Sequence, residues 1–331
     1  MSLDIRNSNI LVIGGAGFIG SHVIEELLKE DVNEVVIYDN FARGTHENLE
    51  VALKDPRVKI FDIGGDILQT DILNEAVQGK DYVFHLAALW LLHCHDYPRN
   101  AYHVNIEGTF NVLEACVKHN VKKLIYSSSA SVYGNALELP MTEEHPYNNQ
   151  TFYGASKIAG EHMCKSFYHR YKLNYIGLRY FNAYGPRQDY KGTYIAIIMK
   201  ILDRIDKGLP PIVYGDGSQA YDFIYVSDIA KANISAMKSD ATNDFYNIAT
   251  GKQTSIKDLT NILLELTGSK LDIVYEEAEQ MFVSSRIADV TKATKELNFD
   301  YSIEVENGLE KLIQWRKEHI ELVAKRRGEI I

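Results

Sequence analysis

Apolar and polar positions alternate in blocks along this chain. Asn9 to Ile13 (Asn-Ile-Leu-Val-Ile) predicts a short buried strand, and the amphipathic stretch Phe18 to Lys29 predicts a helix after it. Similar apolar runs predict strands at Glu34 to Tyr38, Val58 to Phe61, Tyr82 to Leu86, Lys123 to Ser127 and Tyr175 to Arg179. Helical patterns at Ala101 to His119 and Tyr153 to Tyr171 separate the last three. Strands that alternate with helices build βαβ units and a parallel sheet, and right-handed crossovers make that sheet doubly wound. The class is therefore α/β, with a doubly wound parallel Rossmann sheet and a smaller C-terminal lobe.

The alternation weakens after Pro186. Gly192 to Lys207, Ser255 to Leu266 and Val305 to Ile320 predict helices, and Pro210 to Ser218 a strand and turn. The expected division is 1–186 for the Rossmann domain, with 222–250 returning to it. Residues 187–221 and 251–331 are expected to form the smaller lobe, which would hold a substrate.

Charge narrows the function classes. The chain has 331 residues and a formal net charge of −10, which argues against nucleic acid as a partner, since that needs a basic face. No apolar run approaches the ~18 residues of a membrane span. Met1 to Asn9 is polar, unlike a signal peptide. Cys94, Cys116 and Cys164 are far apart and odd in number, the usage of reduced thiols, and the cytoplasm is the expected compartment.

Gly14, Gly17 and Gly20 recur at three-residue spacing between the first strand and its helix. The first allows a tight turn, the second lets backbone approach a pyrophosphate, and the third lets helix and strand pack closely. The helix N-terminus then offers free N–H groups to the phosphates. Asp39 ends the second strand, where a carboxylate accepts from the adenosine ribose hydroxyls and repels a 2′-phosphate, favouring NAD over NADP. Arg43, nearby, is the alternative that would serve a 2′-phosphate. Asp66 either meets the adenine ring or caps a helix.

Tyr153 and Lys157 lie four residues apart on one helix face. A phenol is a poor base near neutrality, and an adjacent ammonium with a positive nicotinamide ring stabilises its phenolate. The fifth strand runs into Ser127-Ser128-Ser129-Ala130-Ser131-Val132-Tyr133-Gly134, placing serines at the carboxyl edge of the sheet, where ligands of open α/β folds bind. Trp90-Leu91-Leu92-His93-Cys94-His95 has metal-ligand residue types, but adjacent ligands rarely converge on one ion, so a loop on the substrate side or plain packing is expected and no metal.

Taken in order, the glycine turn, Asp39, His85-Leu86-Ala87-Ala88, Asn105, the serine run, Tyr153-x-x-x-Lys157 and Arg179-Tyr180-Phe181-Asn182-x-x-Gly185-Pro186 resemble the extended short-chain dehydrogenases, specifically the UDP-glucose 4-epimerase-like nucleotide-sugar epimerases. The resemblance covers nearly the whole chain. It implies that Tyr153 is the base, Lys157 its electrostatic partner and ribose ligand, and Ser129 the assisting hydroxyl. It implies NAD contacts from Gly14, Gly17, Phe18, Ile19, Gly20, Asp39, Asn40, Asp66, Ile67, Leu86, Ala87, Ala88, Asn105 and Tyr180. Ser131 would flank the sugar and Asn182 the sugar-diphosphate. It implies a homodimer through the helices matching Ala101–His119 and Tyr153–Tyr171. The reaction implied is epimerisation, at C4, by transient oxidation to a keto-sugar.

The alternatives are another redox enzyme of this fold on a different sugar derivative (dehydratase, decarboxylase or dehydrogenase) and a non-enzymatic dinucleotide sensor. Dehydratases and decarboxylases of the family carry an acid just after the catalytic Ser or Thr, where this chain has Ala130 and Ser131. Sensors typically lose the Tyr/Lys pair. Two arginines that hold the diphosphate in the family are missing: Tyr221 stands at one place, and Glu279 falls near the other. Arg286 falls near the residue that gates the sugar pocket, so Arg187, Lys191 and Arg286 are candidates to bind the anion.

Overall fold

The computed structural model describes residues 3–188, 196–277 and 285–329. Lys191, Glu279 and the expected helix start at Gly192 lie outside them. Seven parallel strands form the central sheet: β1 Asn9–Ile13, β2 Glu34–Tyr38, β3 Val58–Ile60, β4 Tyr82–His85, β5 Lys123–Ser129, β6 Tyr175–Tyr180 and β7 Asp244–Ile248. Their order is β7-β6-β5-β4-β1-β2-β3, so the chain winds outward from β1 in both directions. Successive residues serve opposite cores: Ile10 and Val12 pack with Ile37, Phe84 and Ile125 on one face, and Leu11 and Ile13 with Val83, Leu124 and Tyr126 on the other. Burial on both faces explains why the strands read as continuous apolar runs.

Helices α1 Phe18–Leu27 and α2 Thr70–Val77 follow β1 and β3. The amphipathic stretch from Ala101 divides into a wide-wound π turn, Ala101–Glu107, and α3 Gly108–Lys118. Then come α4 Phe152–Tyr171 and α5 Val226–Lys238, the latter packed beside α1. The sequence pattern names no separate element within 222–250, the stretch expected to return to the Rossmann domain, and α5 and β7 lie in it. A separate apolar core gathers Tyr184, Ile198, Leu202, Val213, Leu259, Leu263, Leu309 and Leu312, all from the C-terminal half.

How α4 docks decides where its first turn points. Thr151 caps it, its Oγ1 accepting from the Gly154 N–H at 3.0 Å. The face toward the sheet carries Lys157, Gly160, Glu161 and Cys164. Gly160 is obligatory, because a Cβ there would fall 2.0 Å from the Tyr126 hydroxyl oxygen. Next to it, the Glu161 carboxylate accepts from Arg179 Nε at 2.8 Å and Nη2 at 2.7 Å, from Ser128 Oγ at 2.6 Å and from Tyr147 Oη at 2.8 Å. Arg179 Nη1 donates to Tyr133 Oη and to the Glu143 carbonyl, both at 2.8 Å. Both charges are almost wholly buried, at 0 % and 3 % exposure, so neither is replaced by water when its partner is lost. Removing one partner of such a pair costs about 3–5 kcal/mol, whereas replacing both by apolar groups is often neutral. Arg179→Met should therefore lower the unfolding free energy in urea by about that amount, and Arg179→Met with Glu161→Leu should recover most of it. A single variant as stable as the parent would contradict this role.

Candidate active site

The turn after β1 is shaped by what its glycines lack. Gly14 has φ +79° and a Cβ there would lie 2.6 Å from Ala87 N; a Cβ on Gly20 would lie 2.3 Å from Gly14 O. A Cβ on Gly17 would meet only Gly14 O, at 3.3 Å, so this residue faces open space at the start of α1, beside Phe18 and Ile19. An open cradle at a helix N-terminus fits a pyrophosphate. Asp39, buried at the end of β2, accepts from Ala16 N and Phe41 N, each at 2.9 Å, and burial raises its pKa against those two N–H bonds. Each oxygen keeps lone-pair capacity for a ribose hydroxyl. Asn40 is exposed and caps its own turn through Ala42 N at 3.0 Å.

On the other flank of β1, Leu86, Ala87 and Ala88 continue β4 as partly exposed backbone. Asn105 on the π turn fixes this segment: it accepts from Leu89 N at 2.7 Å and donates to Leu89 O and to Ser156 Oγ, both at 3.0 Å. Its place is thus that of a brace between the Ala87–Leu89 backbone and α4. Asp66 caps a turn through Leu68 N at 2.9 Å before α2 begins, and Ile67 packs beneath α3 against Gly108. Tyr180 turns inward, its hydroxyl bonded to Asn233 Oδ1 at 3.0 Å and Ser127 Oγ at 3.1 Å.

Tyr153 and Lys157 occupy the first turns of α4. Lys157 Nζ donates to Ser127 O at 2.7 Å and lies 5.8 Å from the centre of the Tyr153 ring. Ser129 Oγ accepts from Ser131 N at 3.1 Å. Burial pushes Tyr153 up to about 12; the nearby Ser129 hydroxyl and the positive charge of Arg286 oppose it. Burial likewise holds Lys157 down at about 8. Burial thus disfavours the charged form of both groups, and a nearby opposite charge would favour it.

A cavity of about 710 Å³ is lined by Ser131, Asn149, Asn182, Lys200, Tyr221 and Arg286 among others, and Arg286 is the lining residue whose charge reaches Tyr153. Its described lining includes two cations and no carboxylate. Arg286 lies on the short strand Ser285–Arg286, paired in register with Tyr221. Asp222, fully buried, fixes that strand: its N–H donates to Arg286 O at 2.9 Å, and its carboxylate accepts from Thr250 Oγ1 at 2.7 Å and Gly251 N at 2.8 Å. The Asp222 carbonyl also takes Asn182 Nδ2 at 3.1 Å. Arg286 Nε donates to Gly134 O at 3.3 Å, at the end of the serine run, and burial holds its pKa down to about 10, still charged at neutral pH.

Arg187 is placed elsewhere: it pairs with Glu25 on α1 and lines a different cavity with Glu47 and Trp315. Sequence reading passed over Lys200, an exposed lysine with no motif around it, and Glu161, which shares the helix face of Tyr153 and Lys157 at the next four-residue step. In the Trp90–His95 segment, which is helical over Leu91–Asp96, Cys94 turns inward toward Leu89 O. No three His, Cys, Asp or Glu residues are placed to hold a metal ion among the described residues, and no helix among them is long and apolar enough to cross a membrane.

Known proteins match this arrangement over its length. The UDP-N-acetylglucosamine 4-epimerase from Methanobrevibacter ruminantium M1, solved in complex with UDP-N-acetylmuramic acid, is 36 % identical with a TM-score of 0.89, covering 95 % of this chain and 99 % of that one. The UDP-glucuronic acid 4-epimerase from Bacillus cereus, solved with UDP-glucuronic acid and NAD, is 29 % identical with a TM-score of 0.85, covering 94 % and 99 %. A UDP-N-acetyl-alpha-D-glucosaminuronate decarboxylase of Bacillus cytotoxicus is 35 % identical over 327 residues, 93 % of this chain and 97 % of that protein. Residues 10–249 match the NAD dependent epimerase/dehydratase family, and the chain belongs to that family.

Proposed function

We propose that this protein is an NAD-dependent 4-epimerase of a UDP-sugar. The observation that carries the reading is Tyr153 with Lys157 Nζ 5.8 Å from its ring centre and with the Ser129 hydroxyl and the Arg286 charge favouring its phenolate, Arg286 also lining a cationic cavity. The Gly14–Gly20 turn and Ala87–Ala88 would hold NAD, with Asp39 at its ribose, and bound NAD would supply a reversible hydride acceptor and a positive ring charge. Tyr153 takes the proton of the sugar hydroxyl, and the Lys157 and Arg286 charges favour its phenolate. Ser129 orients the hydroxyl and then the keto oxygen, while Ser131 and Asn182 flank the sugar-diphosphate. After the keto-sugar turns in the cavity, Tyr153 returns the proton to the keto oxygen while the hydride goes back to the carbon on its opposite face. An elimination would need a further acid or base, and the described cavity lining holds no carboxylate, which favours epimerase over dehydratase.

In this reading, residues 1–186 with 222–250 hold the cofactor, and 187–221 with 251–331 form the substrate lobe. The protein works as a homodimer, supported by exposed Tyr102, Phe110, Phe152 and Tyr171 on the two helical stretches expected to pair. Its three cysteines are free and buried, in keeping with the cytoplasm.

A panel of UDP-sugars followed by proton NMR tests the activity: one of them should give its C4 epimer, and no conversion of any sugar would overturn the reading. Tyr153→Phe should lower turnover at least ~10²-fold, the scale for loss of a general base, with NAD binding retained. Wild-type turnover would remove Tyr153 from the mechanism. Calorimetric titration should give tighter binding of NAD than of NADP, because Asp39 repels a 2′-phosphate; equal or tighter NADP binding would contradict that role. A half-buried guanidinium that burial already disfavours gains from an anion, so Arg286 is assigned to an anion of the substrate. Arg286→Ala should weaken substrate binding tenfold or more, ~1.4 kcal/mol, and leave NAD affinity unchanged. An unchanged substrate Kd would move the anion site to other residues.

A further inference from the structure

The glycine turn is gripped from both sides. Toward β4, the missing Cβ of Gly14 leaves room for Ala87 N. Toward β2, a Cβ on Gly44 would lie 2.7 Å from Ala16 Cβ, and the Ala16 carbonyl accepts from Thr45 N at 3.2 Å and Asn48 Nδ2 at 2.8 Å. β4 and β2 are the two neighbours of β1, so the segments leaving them are separated by two strand spacings, roughly 10 Å. They nevertheless meet: the Arg43 guanidinium carbon, from the β2 side, lies 4.3 Å from the centre of the Trp90 ring, from the β4 side. This contact joins the segments that leave the two strands flanking β1.

The turn itself, Gly14 to Gly20, carries no cationic side chain. His22, two residues further on, is kept neutral, its pKa brought to about 4 mainly by burial. A pyrophosphate bridge brings two negative charges to this place. A planar guanidinium can stack on an indole and still present an N–H edge to phosphate oxygens, which an ammonium cannot do. We propose that Arg43, held by stacking on Trp90, binds the pyrophosphate of the dinucleotide, and that the pair forms a bar across the cleft which must open for the cofactor to leave. The proposal rests on NAD being the cofactor. It assigns a use to the bar as well: a reaction that borrows a hydrogen and returns it to the same sugar gains nothing from releasing the cofactor between the two transfers.

The test is the release of dinucleotide, measured without turnover. Wild type, Arg43→Met, Trp90→Leu and the double variant are loaded with NAD and desalted. Free nucleotide is then destroyed with an NAD glycohydrolase, and the bound remainder is quantified by chromatography over time. Each single variant should release NAD at least tenfold faster, the double no faster than the quicker single, and apo melting temperatures should be unchanged. ADP-ribose, which keeps the pyrophosphate and lacks nicotinamide, should lose affinity for Arg43→Met by a similar factor. If Arg43→Met fails to fold, Arg43→Lys, which keeps charge and loses stacking, should still release NAD faster. Wild-type release from both single variants would overturn the bar, and multiplied effects in the double would overturn the pairing. A loss confined to NADP binding would overturn the pyrophosphate role and reassign Arg43 to a 2′-phosphate. Failure of the wild type to bind any dinucleotide would instead overturn the cofactor reading itself.

Discussion

Glu161 and Arg179 are an ion pair taken out of water in the middle of the molecule, and the active-site geometry is built around them. The two-pronged contact from β6 to α4 fixes the helix along its axis and in rotation, because a fork meeting a carboxylate tolerates little of either. Ser128 and Tyr133 bring the end of β5 into the same network, and Tyr133 passes it on to Asn247 of β7 at 2.6 Å. One turn up from Glu161 stands Lys157, and one turn further Tyr153. The distance between that phenol and the serines of β5 is therefore set by charges that never meet the substrate.

The same dryness that makes this pair rigid gives the site its chemistry. Burial moves the Tyr153 phenol up and the Lys157 ammonium down, so that in the dry site the charged form of each needs an opposite charge close by. Arg286 adds a second positive charge toward Tyr153 from the lobe side. The whole chain is acidic, at −10, yet the described lining of the cavity is cationic. Such a local reversal of sign concentrates anionic ligands where the protein as a whole repels them.

Much of this was legible in the sequence, and the exceptions share a cause. The glycine spacing, Asp39, the serine run and the Tyr–Lys pair are local patterns, and the structure places each on the edge of the sheet that the alternation of elements implies. Glu161 could have been found as the third member of the Tyr153–Lys157 face, but its partner sits on β6, and no local pattern links the two. Arg187 and Arg286 look equally suited to an anion in sequence. Their different positions come from contacts remote along the chain, Glu25 for one and the register with Tyr221 for the other. β7 was not named as a strand, although 222–250 was expected to return to the Rossmann domain, for a similar reason: Asp244 to Ile248 is a short run in the half where alternation has weakened, and its pairing with β6 makes it part of the sheet.

The central claim is that the sugar is oxidised and reduced at one carbon, within one site, by a hydrogen that is lent and returned. A UDP-sugar carrying deuterium at C4, converted in ordinary water and followed by NMR and mass spectrometry, tests this most directly. The account predicts an epimer that keeps its deuterium at C4 with no solvent hydrogen incorporated there, and product carrying solvent hydrogen at that carbon would contradict it.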